Sequence, residues 1–257
     1  MISNSQVKQI KALSIKKLRD ESGLFLAEGT KLVLELLDSF KLKLMIATSD
    51  WINQNGRGIV QNIQIVSPEE LQKVSCLKTP QGVLAVFEKP KYQLSDIDLI
   101  HNLNLAIDDV QDPGNLGTII RIADWFGIHD IICSLHSADA FSPKTVQSTM
   151  GALARVKVHY IDLVEFLEAQ SSSIPIFGTF MDGNNIYTEK LTSNGIIVMG
   201  NEGNGISTKI EKLVTNKLLI PNFPANEKTS DSLNVGVATA LICAEFRRVD
   251  NSKKVDK

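Results

Sequence analysis

Residues 110–128 read VQDPGNLGTIIRIADWFGI, and this stretch decides how the second half of the chain folds. Proline and glycine in DPGN (112–115) favour a tight turn, and Asn115 is a residue type that caps helices. At about 100° per residue, the helix that follows has an apolar side and a polar side. The apolar side holds Leu116, Ile120, Ala123, Phe126 and Gly127, and the polar side holds Gly117, Arg121 and Asp124. We therefore expect a helix that packs through one face and presents Arg121 together with the turn.

Length and composition indicate an ordinary soluble globular protein. The 257 residues suit one large or two modest domains, and 43% are hydrophobic while 22% are charged. No apolar run reaches the roughly 18 residues of a membrane span, and the N-terminus has no apolar signal-peptide core. These features predict a cytoplasmic protein without a membrane partner. The three cysteines and four histidines show neither disulfide nor metal-ligand spacing, so no metal site is expected.

The N-terminus is locally basic although the net charge is only −2. Five basic residues precede the first acidic one: Lys8, Lys11, Lys16, Lys17 and Arg19. One interpretation is a solvated helix face. The other is a patch that contacts RNA phosphates, since a few cationic contacts carry much of the affinity for a polyanion.

The first part of the chain alternates helices and strands. Helices are predicted at 5–19, 30–40 and 68–75, and strands at 24–29, 43–48, 62–66 and 82–88. Ser67, Pro68 and Glu70 supply the cap, first-turn proline and capping-box acid of the 68–75 helix. The alternation predicts a small α/β unit with a mostly parallel sheet. The polar segment 88–98 is the predicted linker, which gives domains at 1–95 and 101–250.

The second part alternates in the same way. Strands are predicted at 103–107, 129–134, 174–180, 195–200 and 217–221, and helices at 116–127, 144–152, 162–170, 206–213 and 233–248. The last helix is apolar on nearly every side from Leu233 to Ala244. Such a helix must be buried all round, inside the domain or in a subunit interface.

Two further segments are candidates for a site. In GNEGNGIS (200–207), glycines follow an apolar strand, where they allow close approach of a ligand or another backbone, or form a plain turn. The spacing matches neither the dinucleotide nor the P-loop fingerprint. In SLNV (232–235), Ser232 is suited to cap the last helix. Asn234 requires hydrogen-bond partners, either in a structural network or at a polar site.

Together, these three segments resemble the SpoU (TrmH-like) branch of the SPOUT RNA methyltransferases. Asn115 stands six residues before Arg121 as in the first family motif, and Glu202 lies in the second. The third runs from Ile220-Pro221 to residues 232–235, although its loop is longer than usual and residue 236 is glycine where serine is frequent. Residues 11–37 are similar to a ribosomal-protein-like substrate-binding domain.

The resemblance implies an α/β SPOUT trefoil-knot domain preceded by a smaller α/β RNA-binding domain, in a homodimer. It implies transfer of a methyl group from S-adenosylmethionine to a ribose 2′-hydroxyl in rRNA or tRNA, with rRNA favoured. The implied catalytic residues are Arg121, Asn115, Ser232, Asn234 and Glu202. The implied donor contacts are Met199, Gly200, Asn201, Gly203, Ile220, Pro221, Leu233 and Asn234. Arg121 would deprotonate the hydroxyl, stabilise the alkoxide or position a phosphate; the sequence leaves these three open.

Two other functions fit parts of the sequence. A non-enzymatic RNA-binding protein would keep the same scaffold and use the basic N-terminus without binding the methyl donor. A nucleotide- or NAD-linked enzyme of small-molecule metabolism is the second, but the missing phosphate fingerprints and the basic N-terminus disfavour it.

Overall fold

The computed structural model describes residues 2–56, 61–170, 174–224 and 232–255, with side chains as far as residue 248. The chain forms two compact units. The N-terminal unit comprises residues 1–91 and 139–155, and the C-terminal unit comprises residues 92–138 and 156–257. The division at residues 91 and 92 falls inside the predicted linker. No pattern in the sequence predicted that segment 139–155 packs with the N-terminal unit.

Secondary structure is numbered along the chain. The strands are β1 (Leu24–Glu28), β2 (Leu42–Thr48), β3 (Ile63–Val66), β4 (Val83–Glu88), β5 (Leu103–Ile107), β6 (Asp130–Ser134), β7 (Lys157–Ile161), β8 (Ile176–Asn185), β9 (Gly195–Met199) and β10 (Asn216–Leu219). The helices are α1 (Asn4–Ala12), α2 (Lys16–Ser22), α3 (Thr30–Leu37), α4 (Ser49–Asn55), α5 (Pro68–Val74), α6 (Pro113–Trp125), α7 (Pro143–Thr149), α8 (Leu163–Glu168), α9 (Thr208–Glu211) and α10 (Val235–Val255).

The N-terminal unit has a mixed four-stranded sheet in the order β1-β4-β2-β3. Strand β4 is antiparallel to both β1 and β2, and only β2 and β3 are parallel. The prediction of a mostly parallel sheet is therefore wrong for this unit. Alternation of helices and strands along the sequence does not determine the direction in which β4 runs in the sheet. The predicted start of α5 is confirmed: Ser67 and Glu70 form a reciprocal capping box, with Pro68 in the first turn.

The predicted basic helix 5–19 is divided into α1 and α2, and this division changes the environment of Arg19. The Arg19 side chain is only 2% exposed. Its guanidinium donates to Asp139 Oδ2 at 2.7 and 3.0 Å and to the Leu13 carbonyl at 2.7 Å. A buried arginine with these hydrogen-bond partners is not accessible to an RNA phosphate. Arg19 is therefore removed from the candidate RNA contacts, whereas Lys8, Lys11, Lys16 and Lys17 are exposed.

Replacement of Arg19 tests this structural role. Removing one partner of a buried ion pair leaves the other uncompensated and costs about 3–5 kcal/mol. We expect Arg19→Ala to lower the free energy of unfolding by that amount in urea denaturation. The matched control is Lys17→Ala, since Lys17 lies 3.9 Å from Glu21 in an exposed pair, for which a loss below about 1 kcal/mol is expected. Unchanged stability of Arg19→Ala with lost RNA binding would restore the original prediction.

The C-terminal unit is built on a six-stranded sheet in the order β10-β8-β9-β5-β6-β7. Every pairing in this sheet is parallel, as the alternation of its elements predicted. From β5 the chain moves outward through β6 and β7, and it later returns to place β9 on the other side of β5. The strand order thus reverses between β5 and β9. In open α/β sheets, ligands bind beyond the carboxyl ends of the strands at such a switch point.

Helix α6 begins three residues earlier than the predicted helix. Asp112, not Asn115, is its N-cap, because the Asp112 carboxylate accepts from the Asn115 backbone N–H at 2.9 Å and Pro113 occupies the first turn. Arg121 is exposed and the apolar stripe is buried at Leu116, Ile119, Ile120 and Ala123, as predicted. Gly117 is also buried, and Gly127 is exposed, so the predicted faces are wrong at these two positions. Helix α10 packs along α6, so a wider part of the α6 surface is buried than the sequence pattern predicted.

Helix α10 is not buried all round within one chain. Val237 and Leu241, one turn apart, are 51% and 40% exposed, and Ala244 is exposed on the following turn. The prediction that α10 is buried inside the domain is therefore wrong for this side of the helix. In the part of the chain with defined structure, no helix is long and apolar enough to span a membrane.

Candidate active site

The polar segments that follow β5 and β9 are hydrogen-bonded to each other. Asp108 Oδ2 accepts from the Ser207 backbone N–H at 2.7 Å, and Asn201 Nδ2 donates to the Asp109 carbonyl at 2.7 Å. These contacts hold the GNEGNG loop against the end of β5. The carboxyl ends of the two strands therefore form one continuous polar edge at the switch point.

The GNEGNG loop has its shape fixed by its own residues. Asn201 Oδ1 accepts from the backbone N–H groups of Gly203 and Asn204 at 2.9 and 3.0 Å. A Cβ at Gly200 would lie 2.2 Å from the carbonyl carbon of Gly205, so Gly200 is required by the approach of another backbone. Gly205 has φ +69°, which favours glycine. Because the Asn201 side chain is used inside the loop, a ligand meets mainly backbone here.

Three distant side chains form a hydrogen-bonded chain that we call the Glu202–Asn115–Asn234 relay. Asn115 Nδ2 donates to Glu202 Oε1 at 2.8 Å, and Asn234 Nδ2 donates to Asn115 Oδ1 at 3.0 Å. Asn234 Oδ1 also accepts from the backbone N–H groups of Gly236 and Val237 at 3.0 and 3.3 Å. Asn234 is therefore the N-cap of α10, and the sequence interpretation of Ser232 as that cap is wrong. The relay joins the three predicted motifs through side chains.

A pocket of about 380 Å³ opens beside the relay. Its lining includes eight of the residues predicted for catalysis or donor binding: Met199, Gly200, Asn201, Glu202, Gly203, Ile220, Ser232 and Leu233. Pro221, Asn115, Arg121 and Asn234 are not part of this lining. The volume lies within the roughly 300–1,000 Å³ of small-molecule sites, and apolar walls with a few polar groups are typical of such sites.

Arg121 lies apart from the pocket. It is six residues beyond Asn115 on α6, which is about 9 Å along the helix axis. Its side chain is exposed. Arg121 therefore faces away from the core of the unit, where a substrate or a second chain has access to it.

The sequence departs from the family motifs at Gly236 and in the long 222–231 loop, and the structure explains the first of these. Gly236 has a physical reason: a Cβ there would lie 3.0 Å from Thr118 Cγ2 and 3.2 Å from Asn234 Oδ1. The small residue thus permits the close approach of α10 to α6 and leaves space for the Asn234 amide. Most of the long 222–231 loop, namely residues 225–231, lies outside the described part of the chain.

Other reactive groups do not contribute to this site. The thiols of Cys133 and Cys243 are buried, and burial raises the pKa of each well above its ordinary value, to about 12 for Cys243. Both remain protonated and poorly nucleophilic at neutral pH. Across residues with defined positions, no cluster of three or more His, Cys, Asp or Glu side chains is arranged to hold a metal ion.

Sequence reasoning missed two parts of the site. Asp112 was overlooked as the cap because Asp and Asn are equally good in that role; Pro113 was the available signal, since proline favours the first helical position. Thr179, Phe180 and Met181 line the pocket although no motif contains them. They lie within β8 and not beyond its end, so the rule that ligands bind beyond strand ends would not have found them.

The sequence profile of the SpoU rRNA Methylase family matches residues 102–244, which is more than half of the chain. The chain belongs to the SpoU rRNA methylase family. The profile of the MRM3-like substrate binding domain matches residues 4–85. The resemblance seen in the motifs is thereby confirmed, and the predicted enzyme class, RNA 2′-O-ribose methyltransferase, is confirmed at the level of the family.

Full-length relatives agree with this assignment. The 23S rRNA (guanosine(2553)-2′-O)-methyltransferase RlmP of Bacillus subtilis is 32% identical over 95% of this chain and 96% of its own. The AdoMet-bound rRNA methyltransferase of Sinorhizobium meliloti has a TM-score of 0.86 at 32% identity, covering 96% of both chains. The SpoU methyltransferase AviRb of Streptomyces viridochromogenes, in complex with AdoMet, has a TM-score of 0.85 at 26% identity, covering 97% of this chain and 99% of its own. These likenesses confirm the predicted SPOUT fold class.

The two contacts of Asn234 are separable by mutation. Asn234→Asp keeps the oxygen that caps α10 but replaces the amide donor with a carboxylate, which would repel Asn115 Oδ1. Asn234→Ala removes both contacts. We expect Asn234→Ala to lose about 1 kcal/mol of stability while Asn234→Asp stays within a few tenths of wild type. Both variants are expected to lose methyl transfer, measured with labelled donor; full activity in Asn234→Asp would show that the relay has no functional part.

Proposed function

We propose that this chain transfers a methyl group from S-adenosylmethionine to a ribose 2′-hydroxyl in rRNA. The observation that carries the proposal is the Glu202–Asn115–Asn234 relay beside a ligand-sized pocket at the switch point of a SpoU-family sheet. Support for rRNA comes from RlmP, which is named a 23S rRNA methyltransferase, and from the rRNA methyltransferase of Sinorhizobium meliloti, since both are similar to this chain over nearly its full length.

The donor would occupy the pocket between the GNEGNG loop, Ile220 and Leu233. When bound, S-adenosylmethionine supplies an activated methyl group on its sulfonium. The residues of this chain suit such a ligand: the loop presents backbone N–H and carbonyl groups to polar atoms, and the aliphatic side chains exclude water from apolar ones. Glu202 adds a carboxylate and Ser232 adds a hydroxyl to the lining of the pocket.

Arg121 would act on the ribose as a cation. An arginine side chain cannot be deprotonated in a folded protein under ordinary conditions, so it is an unsuitable general base. Its five donors in a fixed fork suit the developing alkoxide and the adjacent phosphate. The exposure of Arg121 leaves it accessible to an RNA backbone, and the relay would orient the ribose from the side of the pocket.

The RNA would be bound in part by the N-terminal unit. Lys8 and Lys11 on α1 and Lys16 and Lys17 on α2 are exposed, and they lie in the region matched by the substrate-binding profile. We place the substrate-binding domain at 1–95 and the methyltransferase domain at 101–250, with a cytoplasmic location. Phosphate contacts by these lysines would act on every sequence alike, so base identity would be read elsewhere.

A homodimer would cover the exposed apolar side of α10. Val237, Leu241 and Ala244 lie on one face of this helix, and Trp125 at the end of α6 is 83% exposed. Exposed apolar stripes and tryptophans are typical of association surfaces. Because α6 also carries Arg121, the same association would bring a second chain close to the catalytic cation.

Incubation with labelled S-adenosylmethionine tests the activity directly. Separated rRNA and tRNA fractions lacking the modification serve as substrates, and an alkali-resistant linkage identifies 2′-O-methylation. We expect label in rRNA with wild type and a loss of at least a hundredfold in Arg121→Ala, the usual effect of removing one electrostatic contact to a developing oxyanion. Donor binding, measured by calorimetry, should be unchanged in that variant.

The control for Arg121→Ala is Arg155→Ala, since Arg155 is an exposed arginine of the N-terminal unit, paired with Glu35 at 2.8 Å. Its activity should remain near that of wild type. RNA binding by wild type without donor binding would instead identify a non-enzymatic RNA-binding protein on this scaffold. Near-wild-type activity of Arg121→Ala would exclude the role given to Arg121.

Leu241→Glu tests the dimer. A charged residue is tolerated at an exposed position of a monomer but is costly in the middle of an apolar interface. We expect the variant to have the mass of a monomer in light scattering, whereas wild type has the mass of a dimer. Ile100→Glu is the control, because Ile100 is 67% exposed and lies outside α6 and α10. A monomeric wild-type protein would contradict the proposed interface.

A further inference from the structure

The pairing of strand β8 with β10 is interrupted in the middle of β8. Gly178 pairs with Lys217 of β10, and the next pair joins Asn184 to Leu218, so the register shifts by five residues within one step of β10. Residues 179–183 have no paired position on β10, and we call them the β8 excursion. Phe180 and Met181 of this excursion line the pocket together with the GNEGNG loop.

The ring of Phe180 is folded back against its own strand. A Cβ at Gly178 would lie 2.7 Å from Phe180 Cε2 and 2.9 Å from Val214 Cγ2, so the absence of a side chain at 178 provides the space for the ring. Lys217, which pairs with Gly178 across the sheet, places its Nζ 4.7 Å from the ring centroid. This distance is within the roughly 6 Å of a cation–π contact.

The Lys217 ammonium is itself fixed by two carboxylates. Glu211 Oε1 of α9 lies 2.6 Å from Nζ, and Asp182 Oδ2 of the excursion lies 3.3 Å from it. The hydrogen bond from Lys217 to Glu211 raises the pKa of the ammonium, so Lys217 stays charged at neutral pH. One cation thus connects α9 and β10 to both Phe180 and Asp182 of the excursion.

We propose that Lys217 is a positioning residue for the methyl donor, holding Phe180 and the β8 excursion in place as one wall of the pocket. Lys217 does not line the pocket and acts only through Phe180. An aromatic wall offers a flat apolar surface to the purine or the aliphatic part of the donor. The inference rests on the proposed function, because it requires that the donor occupies this pocket. Beyond the proposed function, it assigns a contribution to donor affinity to Lys217, which lies outside the three motifs.

Lys217→Met removes the charge and keeps an unbranched side chain, so the fold is expected to persist. We expect the dissociation constant for S-adenosylmethionine, measured by calorimetry, to rise about three- to tenfold, which lies within the range spanned by cation–π contacts. Lys217→Arg should restore it, since a guanidinium also stacks on rings and pairs with carboxylates. In steady-state assays the KM for the donor should rise while kcat and the KM for RNA stay unchanged.

Lys89→Met is the matched control. Lys89 Nζ lies 2.6 Å from Asp20 and 5.4 Å from the Phe141 ring centroid, so it has an ion pair and a ring contact of the same kind in the N-terminal unit, and it does not line the pocket. The dissociation constant of Lys89→Met for S-adenosylmethionine should equal that of wild type. Equal dissociation constants for Lys217→Met and Lys89→Met would overturn the proposal.

A double-mutant cycle with Phe180→Leu tests whether Lys217 acts through the ring. In the Phe180→Leu background, Lys217→Met should change donor affinity by less than about twofold, because coupled residues are not additive. Full additivity would overturn the proposal. Absence of donor binding by wild type would reject the proposed function together with the inference. Donor binding that is indifferent to Lys217 would reject the inference alone.

Discussion

The site depends on Asn115, whose amide bridges two segments that are far apart in the chain. It donates to Glu202 and accepts from Asn234, so it connects a residue 87 positions away to one 119 positions away. An amide is suited to this place because it offers donors and an acceptor together. A carboxylate at 115 would repel Glu202, and a hydroxyl would not span both partners. The first turn of α6 thereby fixes the loop after β9 and the start of α10 with one side chain.

This bridge is possible because the parallel sheet reverses its strand order between β5 and β9. Their carboxyl ends are adjacent, so Asp109 and Asn201 meet and the GNEGNG loop closes over the edge. Much of this arrangement could be predicted: apolar runs identify the strands, alternation predicts their parallel direction, and polar residues after two strands predict a site. The three motifs indicated the family as well. Local patterns were sufficient wherever the deciding interaction was local.

The features that sequence reasoning missed depend on contacts between distant residues. The charge pattern of α2 is that of a solvated helix, but Asp139, 120 residues away, pairs with Arg19 and buries it. The direction of β4 depends on where it enters the N-terminal sheet, which no alternation reports. The β8 excursion exists only relative to β10, since a register shift requires two strands. The exposure of Val237 and Leu241 likewise reflects a surface that a single chain leaves uncovered.

The separation of Arg121 from the pocket constrains how the proposed reaction proceeds. Methyl transfer requires the donor and the 2′-hydroxyl within contact distance, and the cation that stabilises the alkoxide must reach the same oxygen. In one chain, Asn115 adjoins the pocket while Arg121 lies about 9 Å further along α6. Long side chains on a helix point back toward its N-terminus, so Arg121 would reach a ribose at the relay by extending along α6 toward Asn115. Helix α6 packs along α10, so on the proposed dimer the second chain that covers Val237 and Leu241 would also lie near the helix that carries Arg121.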